Sequence, residues 1–242
     1  MKNLLKSKYI PFLALALGVV GFGLRKMLYA LALDQKNLLT LGHPLEILLW
    51  LTAALTAVLV ILALRRESPE SAQVFPAGAE AFGSVAMAAG VALTVLGYGT
   101  PNNTLAMVRA LLGLVSAGML VLTAWSKWKG QPSHFLPYAA LCVFLAVHMV
   151  GCYRGWSSNP QLQDYVFTLF ASLGLMLFAY QHAACAADCG NRRYLAGAGL
   201  TALYACAVCL SGTIDGILYL TGGIWVLTNG TPTLSAEPVI EE

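Results

Sequence analysis

The sequence predicts an all-α integral membrane protein, a bundle of about eight transmembrane helices forming one transmembrane domain, 1–242. Its composition is 58% hydrophobic and only 10% charged, whereas an ordinary soluble domain is about 25% charged. A soluble fold of 242 residues could not hide so much apolar surface, but a lipid bilayer could accept it. Repeated long apolar stretches and an alternating distribution of basic residues support the same fold class.

Each apolar stretch is long enough to cross a bilayer, because about 20 helical residues span the hydrocarbon core. The predicted spans are 10–33, 45–64, 79–98, 104–126, 135–153, 164–182, 194–211 and 213–229. The last two depend on a break at Ser211–Gly216, which contains two glycines and an acid. Without that break, 194–229 would be one helix and the chain would have seven spans.

The second helix of each predicted hairpin begins in a similar way, which indicates an internal repeat. Pro44, Pro101 and Pro160 start three of these helices, and Thr213 starts the fourth without a proline. Because each unit contains two spans, successive units have the same orientation in the membrane. The sequence therefore predicts four helical hairpins in parallel repeat.

Lysine and arginine side chains predict the orientation, since cytoplasmic loops are enriched in them. Alternate segments hold a large group of basic residues: Lys2, Lys6, Lys8, Arg65, Arg66, Lys127, Lys129, Arg192 and Arg193. The opposite loops contain only Lys36 and Arg154. We therefore expect a bacterial-type plasma membrane location, with a cytoplasmic N-terminal segment 1–9, a cytoplasmic linker 65–78 and a flexible acidic tail 230–242. The first apolar stretch lacks a clear cleavage site and is interpreted as the first anchor.

Several ionisable residues fall within or at the outer ends of the predicted spans. A charge near a helix centre costs about 2.5 to 3.5 kcal/mol on insertion scales, so such groups should face protein or water. Arginine binds carboxylates and phosphates well, because its guanidinium donates two parallel hydrogen bonds. The pattern predicts an outward-facing polar vestibule that binds a small polar solute, anionic if the arginines hold it. The predicted solute-binding residues are Arg25, Arg109, Glu46, Asp164, His148 and Asp215.

Structural roles explain the same residues in a second interpretation. Arg25 could extend along its own methylenes toward the interface, and the acids Glu46, Asp164 and Asp215 favour helix N-termini electrostatically. His148 could be a hydrogen-bonded structural histidine rather than a proton carrier. Small residues at a spacing of four, such as Ala86 and Gly90, predict close helix packing.

No motif predicts a metal, a cofactor or catalysis. His182, Cys185 and Cys189 are potential zinc ligands, but their spacing matches no strong zinc signature and a fourth ligand is not obvious. The six cysteines do not form a disulfide framework. There is no phosphate-binding glycine loop with lysine, no His-Glu-x-x-His and no nucleophile elbow.

Three functional classes remain open from the sequence. The first, which we favour, is a multi-pass membrane protein that binds or transports a small polar solute. The second is a non-catalytic structural or assembly subunit of a membrane complex, and the third is a membrane enzyme. Lipid is the expected environment and nucleic acid is not an expected partner, whereas the sequence leaves open a protein partner or a homo-oligomer.

Overall fold

The computed structural model describes residues 10–31, 43–66, 77–131, 134–156, 165–211 and 213–235. They form eight helices: α1 (Ile10–Leu31), α2 (Pro44–Arg66), α3 (Ala77–Gly97), α4 (Thr104–Trp128), α5 (Leu136–Trp156), α6 (Val166–Ala186), α7 (Arg192–Val208) and α8 (Ile214–Ser235). Helices α7 and α8 are separate, as predicted, but α8 already begins at Ile214, inside the predicted break Ser211–Gly216. Helix α8 continues to Ser235, beyond the predicted start of the tail at position 230.

Six of these helices, α1 to α6, are long and apolar enough to cross a membrane. Many large apolar side chains on their outer faces are exposed, including Trp50, Leu96, Leu122 and Trp128. Exposed apolar surface on this scale is suited to lipid and not to water. The chain is therefore a helical membrane bundle, as predicted, whereas its number of crossings and its repeat arrangement stay predictions.

Six helices form a closed ring. Each helix from α3 to α8 packs on the next one in the chain, and α8 packs back against α3. Large buried side chains, among them Phe144, Leu175 and Trp225, fill the centre. The α1–α2 hairpin lies outside this ring and packs mainly on α7. The first hairpin therefore packs on the fourth, whereas the second, third and fourth follow one another in chain order.

Helix α7 is the most enclosed element, because it contacts α1, α2, α6 and α8. Every residue from Ala202 to Cys209 is buried. A helix surrounded by other helices needs no apolar face for lipid, which accounts for its many small residues. With 17 residues, α7 is also the shortest helix of the bundle.

Close packing at small residues joins the helices, including at the predicted position Gly90. An added Cβ at Gly83 or Gly90 of α3 would meet Thr228 or Thr221 of α8. Gly113 of α4 lies against Val95 and Phe144 in the same way. Packing, rather than any hydrophobic gain relative to lipid, is what holds such helices together.

The two ends of the bundle differ in their polar chemistry. We call the end where α1, α3, α5 and α7 finish the predicted outer end, and the opposite end the predicted inner end. At the inner end, Lys127 of α4 forms an ion pair with Glu80 of α3, and both side chains are buried. Lys127 Nζ also donates to Asn229 Oδ1 of α8 over 3.4 Å. Lys127, predicted as a cytoplasmic loop charge, is thus an interhelical contact.

Candidate functional site

A cavity of about 300 Å³ lies at the predicted outer end, between α1, α6 and the α7–α8 turn. Its charged lining comes from Arg25 and Lys26 of α1 and from Asp215 of α8. Hydroxyl groups supply much of the remaining polar lining: Tyr29, Tyr165, Thr168, Ser211, Thr213 and Tyr219. The volume is at the lower limit of ordinary small-molecule sites, which range from about 300 to 1,000 Å³.

Arg25 is held in place by helix α7. Its guanidinium Nη1 donates to the thiol of Cys209, the residue directly after α7, over 3.4 Å. The guanidinium carbon lies 5.7 Å from the centre of the Tyr29 ring. Arg25 is partly buried and lines the cavity, where a guanidinium can bind an anionic group.

A second polar cluster adjoins the cavity and shares Asp215 with it. His148 and Cys152 lie four residues apart on α5, so both project from one face of that helix. His148 Nε2 lies 3.5 Å from Asp215 Oδ1 and 3.6 Å from Cys152 Sγ. His148 is fully buried, and its Nδ1 has no hydrogen-bond partner within the described residues.

Tyr98, which directly follows α3, also contacts this cluster. Its hydroxyl donates to Asp215 Oδ1 over 2.6 Å and lies 3.8 Å from Cys152 Sγ. The Tyr98 hydroxyl thus orients the Asp215 carboxylate.

Arg109 lies beside the same tyrosine and not in the larger cavity. Its guanidinium carbon is 3.8 Å from the centre of the Tyr98 ring, a cation–π stacking distance. A separate cavity of about 160 Å³ is lined by Arg109, Tyr98, Asn102 and Asn103. The two arginines predicted to bind one solute thus line different cavities.

The remaining predicted residues are distributed as follows. Glu46 is in the first turn of α2, as expected, and does not line the larger cavity. Asp164 lies outside the described residues. His182 is buried in the ring, stacked on Tyr138 with ring centres 4.6 Å apart.

His182, Cys185 and Cys189 do not form a converging set of metal-ligand atoms. Cys189 is exposed where α6 has ended, whereas His182 is directed into the core. Within the described part of the chain, the three donors that do converge are those of His148, Cys152 and Asp215, whose ligand atoms all lie within 4.8 Å of one another. A thiol, an imidazole and a carboxylate are all common ligands of zinc.

The same three residues do not have the geometry of a nucleophilic triad. In such a triad the nucleophile contacts one imidazole nitrogen and the orienting acid contacts the other. Here Cys152 and Asp215 both approach Nε2 of His148. The three residues therefore do not match a nucleophilic triad.

Sequence reasoning missed Cys152 and Tyr98 as members of this cluster. The spacing of His148 and Cys152 was a usable signal, because residues four apart are neighbours on a helix. Nothing in the sequence indicated that Tyr98 would contact Asp215, which is 117 positions away.

The fold and these polar sites define a helical multi-pass membrane protein with a polar cavity at one end. Comparison with protein-family models, with curated proteins and with solved structures gave no match.

Proposed function

We propose that this protein is a plasma-membrane binding or transport protein for a small polar solute, with an anionic group held by Arg25. The observation that supports it best is the 300 Å³ cavity, which combines two cationic side chains with several hydroxyls. Charge-assisted hydrogen bonds to a carboxylate or phosphate are the strong contacts such a lining can make. The protein has no catalytic role in this proposal.

Asp215 adds a negatively charged side chain to the cavity lining. Its carboxylate lines the cavity together with the cations and accepts a hydrogen bond from the Tyr98 hydroxyl. A solute with both an anionic group and a hydrogen-bond donor could bind the cationic side chains and the Asp215 carboxylate at once. This matching favours small polar molecules over inorganic anions.

Arg25→Ala should abolish stabilisation of the purified protein by small anions. We expect at least one carboxylate or phosphate compound from a metabolite panel to raise the melting temperature, because a ligand of the folded state stabilises it by about 2.7 kcal/mol at 100 times Kd. Losing the guanidinium should weaken binding about tenfold or more, since a hydrogen bond to a charged group contributes about 1.5 to 3 kcal/mol. The measurement is a thermal-shift titration in detergent.

Arg154→Ala is the matched control, because it removes the same charge from the same end of the bundle outside the cavity lining. It should keep the full anion response. If no anion shifts the melting temperature, or if both variants lose the response equally, binding at Arg25 is wrong. A tightly co-purifying subunit in that case would favour the assembly role.

We also propose eight crossings with a cytoplasmic N-terminus. Reporter fusions placed after Arg65 and after Pro101 should then report opposite compartments, because α3 would carry the chain across the membrane. Periplasmic activity is expected only at Pro101. The same compartment at both positions would refute this topology and the outward-facing cavity.

A further inference from the structure

We propose that His148, Cys152 and Asp215 bind one divalent ion of the zinc class at the predicted outer end of the bundle. The site shares Asp215 with the cavity but does not include Arg25, and it goes beyond the proposed function. It depends on three donor atoms that come from two helices facing each other across the ring.

The distance between His148 and Asp215 fits co-ligands of one ion better than a hydrogen bond. An N–H···O hydrogen bond is usually about 2.9 Å long, whereas His148 Nε2 and Asp215 Oδ1 are 3.5 Å apart. Two ligands held tetrahedrally by Zn²⁺ at about 2.0 to 2.3 Å lie roughly 3.3 to 3.6 Å from each other. The separation of 3.6 Å between Cys152 Sγ and His148 Nε2 is also compatible with this range.

The chemical types of the three ligand atoms also indicate which ion the site would bind. One thiolate, one imidazole and one carboxylate suit a borderline-soft ion such as Zn²⁺ and do not suit Mg²⁺ or Ca²⁺, which prefer oxygen ligands only. His148 and Cys152 are buried at 0% and 8% exposure, so this ligand pair is largely dry. Two anionic ligands neutralise a divalent ion, which lowers the cost of placing it there.

Tyr98 and Arg109 would support the site from outside. The Tyr98 hydroxyl fixes Asp215, as outer hydrogen bonds commonly do for ligating carboxylates. Arg109, stacked on Tyr98, stays with the ring instead of pairing directly with the carboxylate. Three protein ligands leave a fourth tetrahedral position for water or a solute group, the arrangement typical of zinc sites that exchange ligands.

Cobalt binding to the full chain tests this proposal without any assay of transport. The purified protein, treated with chelator and then loaded with Co²⁺, should hold one ion per chain by elemental analysis. It should also show a thiolate-to-cobalt charge-transfer absorption in the near ultraviolet. Cys152→Ser should remove that absorption and weaken Co²⁺ binding by at least about 100-fold, the upper value for loss of outer-shell partners.

Cys142→Ser is the matched control, since Cys142 is on the same helix and is not among the converging donors. It should keep the absorption, and so should Arg25→Ala, which separates this site from anion binding. In the wild-type protein, Zn²⁺ should displace the bound Co²⁺ and abolish the absorption, because Zn²⁺ binds such ligands more tightly than Co²⁺. This readout does not require any variant to fold. The proposal is overturned if the wild type binds no Co²⁺, if Cys152→Ser keeps the absorption, or if Zn²⁺ does not displace Co²⁺.

Discussion

Replacing Lys127 with methionine is expected to lower the free energy of unfolding by about 3 to 5 kcal/mol, because it leaves the buried Glu80 carboxylate without its cation. Methionine keeps the unbranched stem of lysine, so the change removes charge more than volume. The hydrogen bond from Lys127 Nζ to Asn229 Oδ1 would be lost as well, and with it a link between α4 and α8. Unfolding by denaturant in detergent micelles measures the difference.

Two further variants test whether loss of the Lys127–Glu80 ion pair causes the lower stability. Lys129→Met removes an exposed lysine two residues away, which lies 4.9 Å from the Trp125 ring, and should cost no more than about 1 kcal/mol. Adding Glu80→Gln to Lys127→Met should recover part of the loss, since a neutral amide is cheaper to bury than an unpaired carboxylate. Equal stability of Lys127→Met and Lys129→Met would show that the ion pair is not a structural contact.

The helices were predictable from the sequence because their signals are local. A prediction of 104–126 for the fourth helix corresponds to the observed α4, which starts at Thr104 after the Asn103 side chain caps it. The glycines near Ser211 marked the end of α7 in the same local way. Contact between α8 and α3 was not predictable, because in lipid the inward and outward faces of a helix are both apolar and periodicity does not separate them.

The candidate site was predictable only in part, for the same reason. Arg25, His148 and Asp215 stand out in the sequence because a charged or polar group in an apolar stretch is costly and needs a partner. Which partner each one finds depends on helix neighbours that the sequence does not reveal. Asp215 lies near His148 only because α5 and α8 face each other across the ring.

Gly90→Val is expected to separate α3 from α8 and to lower stability by about 1 to 3 kcal/mol or more, since overpacking forces backbone shifts. A Cβ at this position would overlap the Thr221 side chain of α8. Thr221 cannot easily turn away, because its hydroxyl donates to the carbonyl oxygens of Ile217 and Leu218, at 2.9 and 3.1 Å. Thermal unfolding in micelles, followed by helical circular dichroism, measures the loss.

Gly118→Val is the matched substitution, because an added Cβ on this α4 glycine meets nothing within 4 Å. Its effect should stay within about 0.5 kcal/mol, as is usual for exposed positions. Thr221→Ala combined with Gly90→Val should restore part of the lost stability, since it removes the atoms that overlap. If the Gly90 and Gly118 variants unfold at the same temperature, α3 and α8 do not meet at this glycine.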